Sequence, residues 1–121
     1  MAELVSVKKN EFLFQQDDLA DAMYIVKSGK ISLLISDGVS EQEVDTASMG
    51  QLLGEMSLFD KKLRSAGAKA LIDSQVIKLP YKKLEEELET MPEWVQAVFK
   101  NLSEKIREAN IKILSKKPVK P

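Results

Sequence analysis

Three observations predict a mainly β fold, a small antiparallel roll or barrel closed by C-terminal helices. Up to Pro80, short apolar segments are cut by turn residues; after it, apolar residues recur at spacings of three and four. The third is length: 121 residues fit one ordinary domain around a single core.

The elements follow in order. Glu11 to Phe14 is a short aromatic-rich strand that ends in the polar turn Gln15-Gln16-Asp17-Asp18. Met23 to Lys27 is the next strand. Ser28-Gly29-Lys30 turns the chain, with Gly29 free to take positive φ, and Ile31 to Ser36 runs back. Asp37-Gly38 is another turn. Glu41 to Ser48 is polar and weakly alternating, which suits an exposed edge strand. Gly50 and Gly54 bracket Gln51-Leu52-Leu53, and Glu55 to Phe59 is a short helix led in by Gly54. Arg64 to Leu71 and Gln75 to Leu79 are compatible with strands.

The helical part begins at Tyr81. Leu84 and Leu88 share one face of Tyr81 to Glu89, and Glu85, Glu86 and Glu87 form a solvated remainder. Met91-Pro92 interrupts, and Pro92 suits the first turn of a new helix. From Glu93, the apolar positions Val95, Val98, Leu102, Ile106, Ala109 and Ile113 form one stripe. That stripe fits either a seam between two copies or packing back onto the chain's own roll. Trp94 is read as a packing anchor near the helix start. Residues 1–115 therefore form one domain, with the roll to about 80 and helices from about 81, and 116–121 form a basic tail.

Composition removes whole classes of function. With no His and no Cys there is no zinc site of the usual N/S kind, no Cys nucleophile, no disulfide and no Ser-His-Asp triad. The expectation is a protein that is not an enzyme and needs no cofactor; a metal-dependent enzyme on a β-roll fails for want of histidine. The formal net charge of -1 argues against a nucleic-acid partner. No run approaches a membrane span or a signal peptide, so the expected location is cytoplasmic. Of 18 basic residues only Arg64 and Arg107 are arginines. A planar guanidinium suits phosphate or carboxylate better than an ammonium does, so Arg64, in an apolar stretch, needs a reason.

The segment Gly54-Glu55-Met56-Ser57 … Arg64-Ser65-Ala66 offers one. A glycine before a short helix lets backbone approach a ligand, and the first helical N–H groups are unpaired. Arg64 adds a two-pronged contact for phosphate oxygens, and small Ser65 and Ala66 leave room. Glu55 would repel a bare phosphate, but it accepts a hydrogen bond from a sugar hydroxyl close to one. A sugar phosphate with one free hydroxyl meets both demands. The plainer account of Glu55 and Arg64 is a surface ion pair worth about 0–1 kcal/mol, and on these residues alone it is the simpler one.

In order along the chain come Asp21-Ala22-Met23-Tyr24-Ile25-Val26-Lys27-Ser28-Gly29-Lys30-Ile31, Gly50, Leu53-Gly54-Glu55, Arg64-Ser65-Ala66 and Val76-Ile77-Lys78-Leu79-Pro80-Tyr81. In that order and spacing they resemble the cyclic nucleotide-binding domain of bacterial catabolite activators and of the regulatory subunits of cyclic-AMP-dependent protein kinase. The resemblance runs from about Glu11 to Ile113 and implies an antiparallel, jelly-roll-like β-roll of about eight strands. It implies ligand contacts at Gly54, Glu55, Met56, Ser57, Arg64, Ser65, Ala66 and Asn110. Arg64 would grip the cyclic phosphate, helped by N–H groups near Ser57 and Ala66, and Glu55 would accept the ribose 2′-hydroxyl. The helix from Glu93 would fold over the purine, with Asn110 at its edge.

Several positions depart from the family pattern. Asp17 and Ala20 replace common glycines, Leu63 replaces a frequent proline, and Gly67-Ala68 is smaller than the usual pair. Asp tolerates positive φ better than most residues, so the turn at Asp17 survives. The ligand this implies is cyclic AMP ahead of cyclic GMP; in some relatives a residue at the Ser65 position helps favour guanine. No DNA-reading, kinase or channel sequence accompanies the domain, so the expectation is a stand-alone sensor that relays binding through its C-terminal helix to a protein effector. A homodimer through that helix is a further expectation. The alternative is a protein-interaction module that keeps the fold and ignores nucleotide.

Overall fold

The computed structural model describes residues 2–55 and 57–116, apart from the side chains of 59, 60, 106, 107 and 109–116. Among the described residues, eight strands form two four-stranded sheets. The strands are β1 (Glu3–Val7), β2 (Phe12–Phe14), β3 (Ala22–Ser28), β4 (Ile31–Ser36), β5 (Glu41–Ala47), β6 (Leu52–Leu53), β7 (Gly67–Ala70) and β8 (Ser74–Pro80). The helices are α1 (Ser57–Asp60), α2 (Tyr81–Glu89) and α3 (Glu93–Lys116). One sheet has the order β1-β8-β3-β6 and the other β2-β7-β4-β5, and every pairing is antiparallel. The fold is the mainly β roll with C-terminal helices that the sequence predicts.

The two sheets meet face to face. Val7, Tyr24, Val26, Leu53 and Val76 from the first and Ile31, Ala47, Ala68 and Ala70 from the second are all buried in one cluster. Each fully buried Val, Leu or Ile contributes roughly 1.5–3 kcal/mol of apolar transfer. Small residues line β7 where bulk would not fit: a Cβ on Gly67 would stand 3.3 Å from the Phe12 ring. A second cluster joins Met23, Leu58 and Tyr81 with Ala20, Leu79, Leu84 and Leu88. It seats α1 and α2 on the end of the first sheet.

The turns obey backbone chemistry. Gly29, at φ +96°, comes so close to Ser74 that a Cβ there would overlap it. Asp17 takes φ 70°, and its N–H donates to Arg64 O at 2.8 Å, so the turn survives without glycine. At the β4–β5 turn, N–H groups of Ser40 and Val39 donate to Asp37 and hold its carboxyl below the usual carboxylate range.

Three expectations need correction. The chain starts a strand earlier than expected, because β1 pairs along β8 from Glu3↔Lys78 to Val7↔Ser74. The strand expected from Arg64 begins only at Gly67, since Arg64 is committed to side-chain contacts within the roll. Lys116, assigned to the tail, is the last residue of α3; Lys117 to Pro121 lie outside the described residues.

Trp94 is also no packing anchor: it is 69% exposed, because α3 touches the rest of the chain mainly at α1. Val98 and Leu102 of the stripe are exposed too, so at these positions α3 does not pack back on its own roll. The side chains of Ile106, Ala109 and Ile113 lie outside the described residues. No helix is long and apolar enough to cross a membrane, among the described residues.

Candidate functional site

Arg64 is the only buried cation among the described residues, at 3% exposure. Sheet pairing brings it inside: its N–H donates to Asp18 O and its C=O accepts from Asp17, which pins residue 64 beside the β2–β3 turn. The side chain then points into the end of the roll. Its guanidinium lies 4.1 Å above the Phe14 ring, and Tyr24 and Tyr81 flank it at 5.9 Å. Stacked cation–π contacts of this desolvated kind are worth about 2 kcal/mol.

The polar edge of Arg64 meets three acceptors. Nη2 donates to Ala22 O at 2.6 Å, and Nη1 donates to Tyr81 Oη at 3.1 Å and to Gly54 O at 3.4 Å. Nε has no hydrogen-bond partner among the described residues. Burying a cationic donor unpaired is costly, so an acceptor delivered to Nε would be held strongly.

Gly54 is irreplaceable in this arrangement. Its φ is +76°, and a Cβ there would lie 2.3 Å from Arg64 Nη1. The Tyr81 hydroxyl also donates to Gly54 O, and Ser57 is buried at the start of α1. Burial pushes the Tyr81 phenol above its ordinary value of 10.0, although the Arg64 charge opposes the shift. Gly54, Arg64 and Tyr81 thus form one contact group.

Glu55 is half-buried and opens on a different space. It lines a cavity of about 320 Å³ together with Leu33, Asp45, Thr46, Ala47, Gln51 and Leu52. That volume falls within the range of small-ligand sites. Ser65 is exposed and Ala66 half-buried, just beyond Arg64. Met56 and the side chain of Asn110 lie outside the described residues.

A larger cavity of about 390 Å³ lies between Phe12, the Gln15–Asp17 turn, Leu34, Ser36 and Glu41. It is lined by none of the predicted site residues, so volume alone does not single out the site. Glu55 lines the smaller cavity, and Arg64 lines neither. Among the described residues, no cluster of three or more His, Cys, Asp or Glu stands ready for a metal ion.

Two participants escape the sequence reading: Tyr81 and the Ala22 carbonyl. Tyr81 follows Pro80, and a tyrosine opening a helix otherwise made of charged residues and two leucines is the signal that was there to see. The carbonyl carries no sequence signal at all.

Comparison with known proteins bears on this geometry. The family model described as "Cyclic nucleotide-binding domain" matches residues 4–91. The "Cyclic AMP receptor protein" of Thermus thermophilus is 32% identical over 102 residues, 84% of this chain and 47% of that protein. The "Transcriptional activator protein Anr" of Pseudomonas protegens is 32% identical over 114 residues, 92% of this chain and 46% of that protein. The chain thus spans about half the length of these curated relatives.

Among solved structures, the cAMP-bound form of the EAL enzyme Bd1971 superposes with a TM-score of 0.80 at 26% identity, covering 93% of this chain and 30% of that one. The Thermus thermophilus catabolite activator protein gives 0.76 at 29% identity, covering 93% and 53%. The family-model match spans residues 4 to 91, well over half of the chain, so the chain belongs to the cyclic nucleotide-binding domain family.

Proposed function

We propose that this protein is a receptor for a cyclic mononucleotide, cyclic AMP ahead of cyclic GMP, that performs no chemistry of its own. The observation that carries the reading is Arg64: buried at the glycine-led cassette, stacked on Phe14, with Nε unpartnered among the described residues. A cyclic phosphate supplies the acceptor this donor lacks. Glu55, at the neighbouring cavity, is the acceptor for a ribose hydroxyl. Solved relatives similar at 26% identity carry cAMP in one form and cGMP in another, which supports the ligand class and leaves the base to experiment.

Relay to an effector uses the C-terminal helices. α2 starts at Tyr81, in contact with Arg64, and Lys61, just after α1, pairs with Glu85 of α2. Occupancy of the site would shift these helices as a population change, provided that the ligand binds the two arrangements with unequal affinity. The exposed Trp94, Val98, Phe99 and Leu102 on α3 give an effector, or a second copy in a homodimer, an apolar surface.

Titration calorimetry with cyclic AMP and cyclic GMP tests the reading. Binding by the parent, and its loss in Arg64→Ala with Glu55→Ala as the milder variant, is the expected result. No heat and no thermal shift at about millimolar nucleotide, roughly a −4 kcal/mol limit, would sink it. One observation favours a second reading, a nucleotide-independent interaction module: most donors of Arg64 are already satisfied within the protein. That module would hold its partner equally with and without nucleotide, and in Arg64→Ala.

A further inference from the structure

The cavity beside Glu55 has two kinds of wall. Leu33, Ala47 and Leu52 give it apolar faces, and Asp45 and Gln51 give it a polar edge. With a phosphate at Arg64 and a ribose hydroxyl at Glu55, this is the space left for the base. A flat ring held on apolar surfaces and read along one edge is a common way to recognise an unpaired base.

Asp45 is an unexpected residue for its place in β5. It stands across from Leu33 in the β4–β5 pairing, and cross-strand partners share a face. Leu33 packs on the core, so β5 puts a carboxylate on the side where the pattern asks for an apolar residue. A local rule broken in this way is expected at a functional position. The plainer role is protection, since an inward charge also discourages a further strand from adding to an exposed edge.

The hydrogen-bonding sense of both polar groups is fixed. The Asp45 carboxylate accepts; Oδ1 takes the Thr46 N–H at 2.8 Å, which leaves capacity for further donors. Gln51 Oε1 accepts the Ser48 N–H at 2.7 Å, so its amide offers Nε2 as a donor, without a partner among the described residues. The polar edge therefore combines two carboxylate oxygens with one amide N–H. The Watson–Crick edge of guanine carries the complement, donors at N1 and N2 beside an acceptor at O6. Adenine has a donor at N6 next to an acceptor at N1, so its N1 lone pair would face the carboxylate.

Building on the receptor reading, we propose that Asp45 is a specificity-determining residue that favours a guanine base, with Gln51 as the donor to its O6. It works against the lead of cyclic AMP over cyclic GMP that the family resemblance implies, and so sets the margin between the two.

Calorimetry of parent and Asp45→Asn with cyclic GMP, cyclic AMP and cyclic IMP is the test, each chain checked for folding by circular dichroism. Asparagine keeps the shape and an acceptor for the Thr46 N–H, but it sets an amino group against a guanine donor. Affinity for cyclic GMP is expected to fall about tenfold more than that for cyclic AMP, the worth of a hydrogen bond to a charged group. Cyclic IMP keeps N1–H and O6 but lacks the 2-amino group, so the parent should hold it about tenfold less tightly than cyclic GMP.

An Asp45 that only protects the edge predicts equal changes for all three nucleotides. Equal changes, a shift in the other direction, or a parent that binds cyclic AMP and not cyclic GMP overturns the proposal and leaves the receptor reading standing. A parent that binds cyclic GMP alone supports it, and a parent that binds none of the three overturns both. If Asp45→Asn does not fold, the parent still decides, because equal affinity for cyclic GMP and cyclic IMP overturns the proposal.

Discussion

A Cβ placed on Gly54 would stand 2.3 Å from Nη1 of Arg64. The backbone at residue 54 and the guanidinium therefore occupy one mutually fitted space, and neither can change alone. Gly54→Ala is expected to lose about 2–4 kcal/mol of stability, from the left-handed φ and the overlap together. Urea unfolding of parent and variant measures it; a loss of only about 1 kcal/mol, the cost of the left-handed φ alone, would show that the arginine has another resting place.

On the proposed reading, Glu55 answers to the sugar rather than the phosphate. Glu55→Ala is expected to weaken binding of a cyclic ribonucleotide by about tenfold or more, the worth of a hydrogen bond to a carboxylate. The 2′-deoxy analogue should bind parent and variant alike. Equal losses for both ligands in competition calorimetry would remove the 2′-hydroxyl from the account.

Asp17 holds φ 70° while its N–H is tied to Arg64 O. Asp17→Ala should cost about 1 kcal/mol, because alanine resists the left-handed region, whereas Asp17→Gly should be neutral within about 0.5 kcal/mol. Paired urea curves separate the two, and equal effects would mean that the carboxylate, not the dihedral angle, matters.

Alkaline pH should destabilise the fold through its two phenols. Burial, the largest cause for both, raises Tyr24 and Tyr81 above 10.0; the charges of Lys78 and Arg64 oppose it at Tyr24, and that of Arg64 at Tyr81. Above that value the unfolded chain releases phenolic protons that the folded chain keeps, so it binds fewer protons and stability falls as pH rises. The contribution is complete below pH 10.0 and is lost as pH passes through the raised folded values. Unfolding free energies from about pH 9 to about pH 11 should drop, and less steeply in Tyr81→Phe. A flat profile would contradict the burial of both rings.

Much of this architecture is legible in local patterns. β3, β4 and the intervening Gly29 turn follow from two apolar runs around one glycine, and α2 keeps the limits its Leu84 and Leu88 spacing implies. β1 is not legible, because only Val7 of its five residues is buried and its pairing partner lies at the far end of the roll. β6 has two residues and exists only because Tyr24 and Ile25 pair with it.

The site divides in the same way. Gly54, Glu55 and Arg64 stand close in sequence, but their spacing alone fits a surface ion pair, and only the resemblance marks them as a site. The groups that hold Arg64 do not: Tyr81 is 17 residues away and the Ala22 carbonyl 42. Nor does spacing reveal that the guanidinium faces inward, since that depends on Phe14 arriving beneath it from β2.

One strand has a consequence for handling the protein. Among the described residues, β5 has a hydrogen-bonded neighbour strand on one side only, so its other edge offers backbone groups to any passing strand. Glu41, Glu43 and Asp45 stand along it, and at neutral pH a second β5 approaching this edge would bring three more carboxylates against them. Neutral solutions should therefore stay clear, and exchanging these three carboxylates for amides should promote association that begins at this edge.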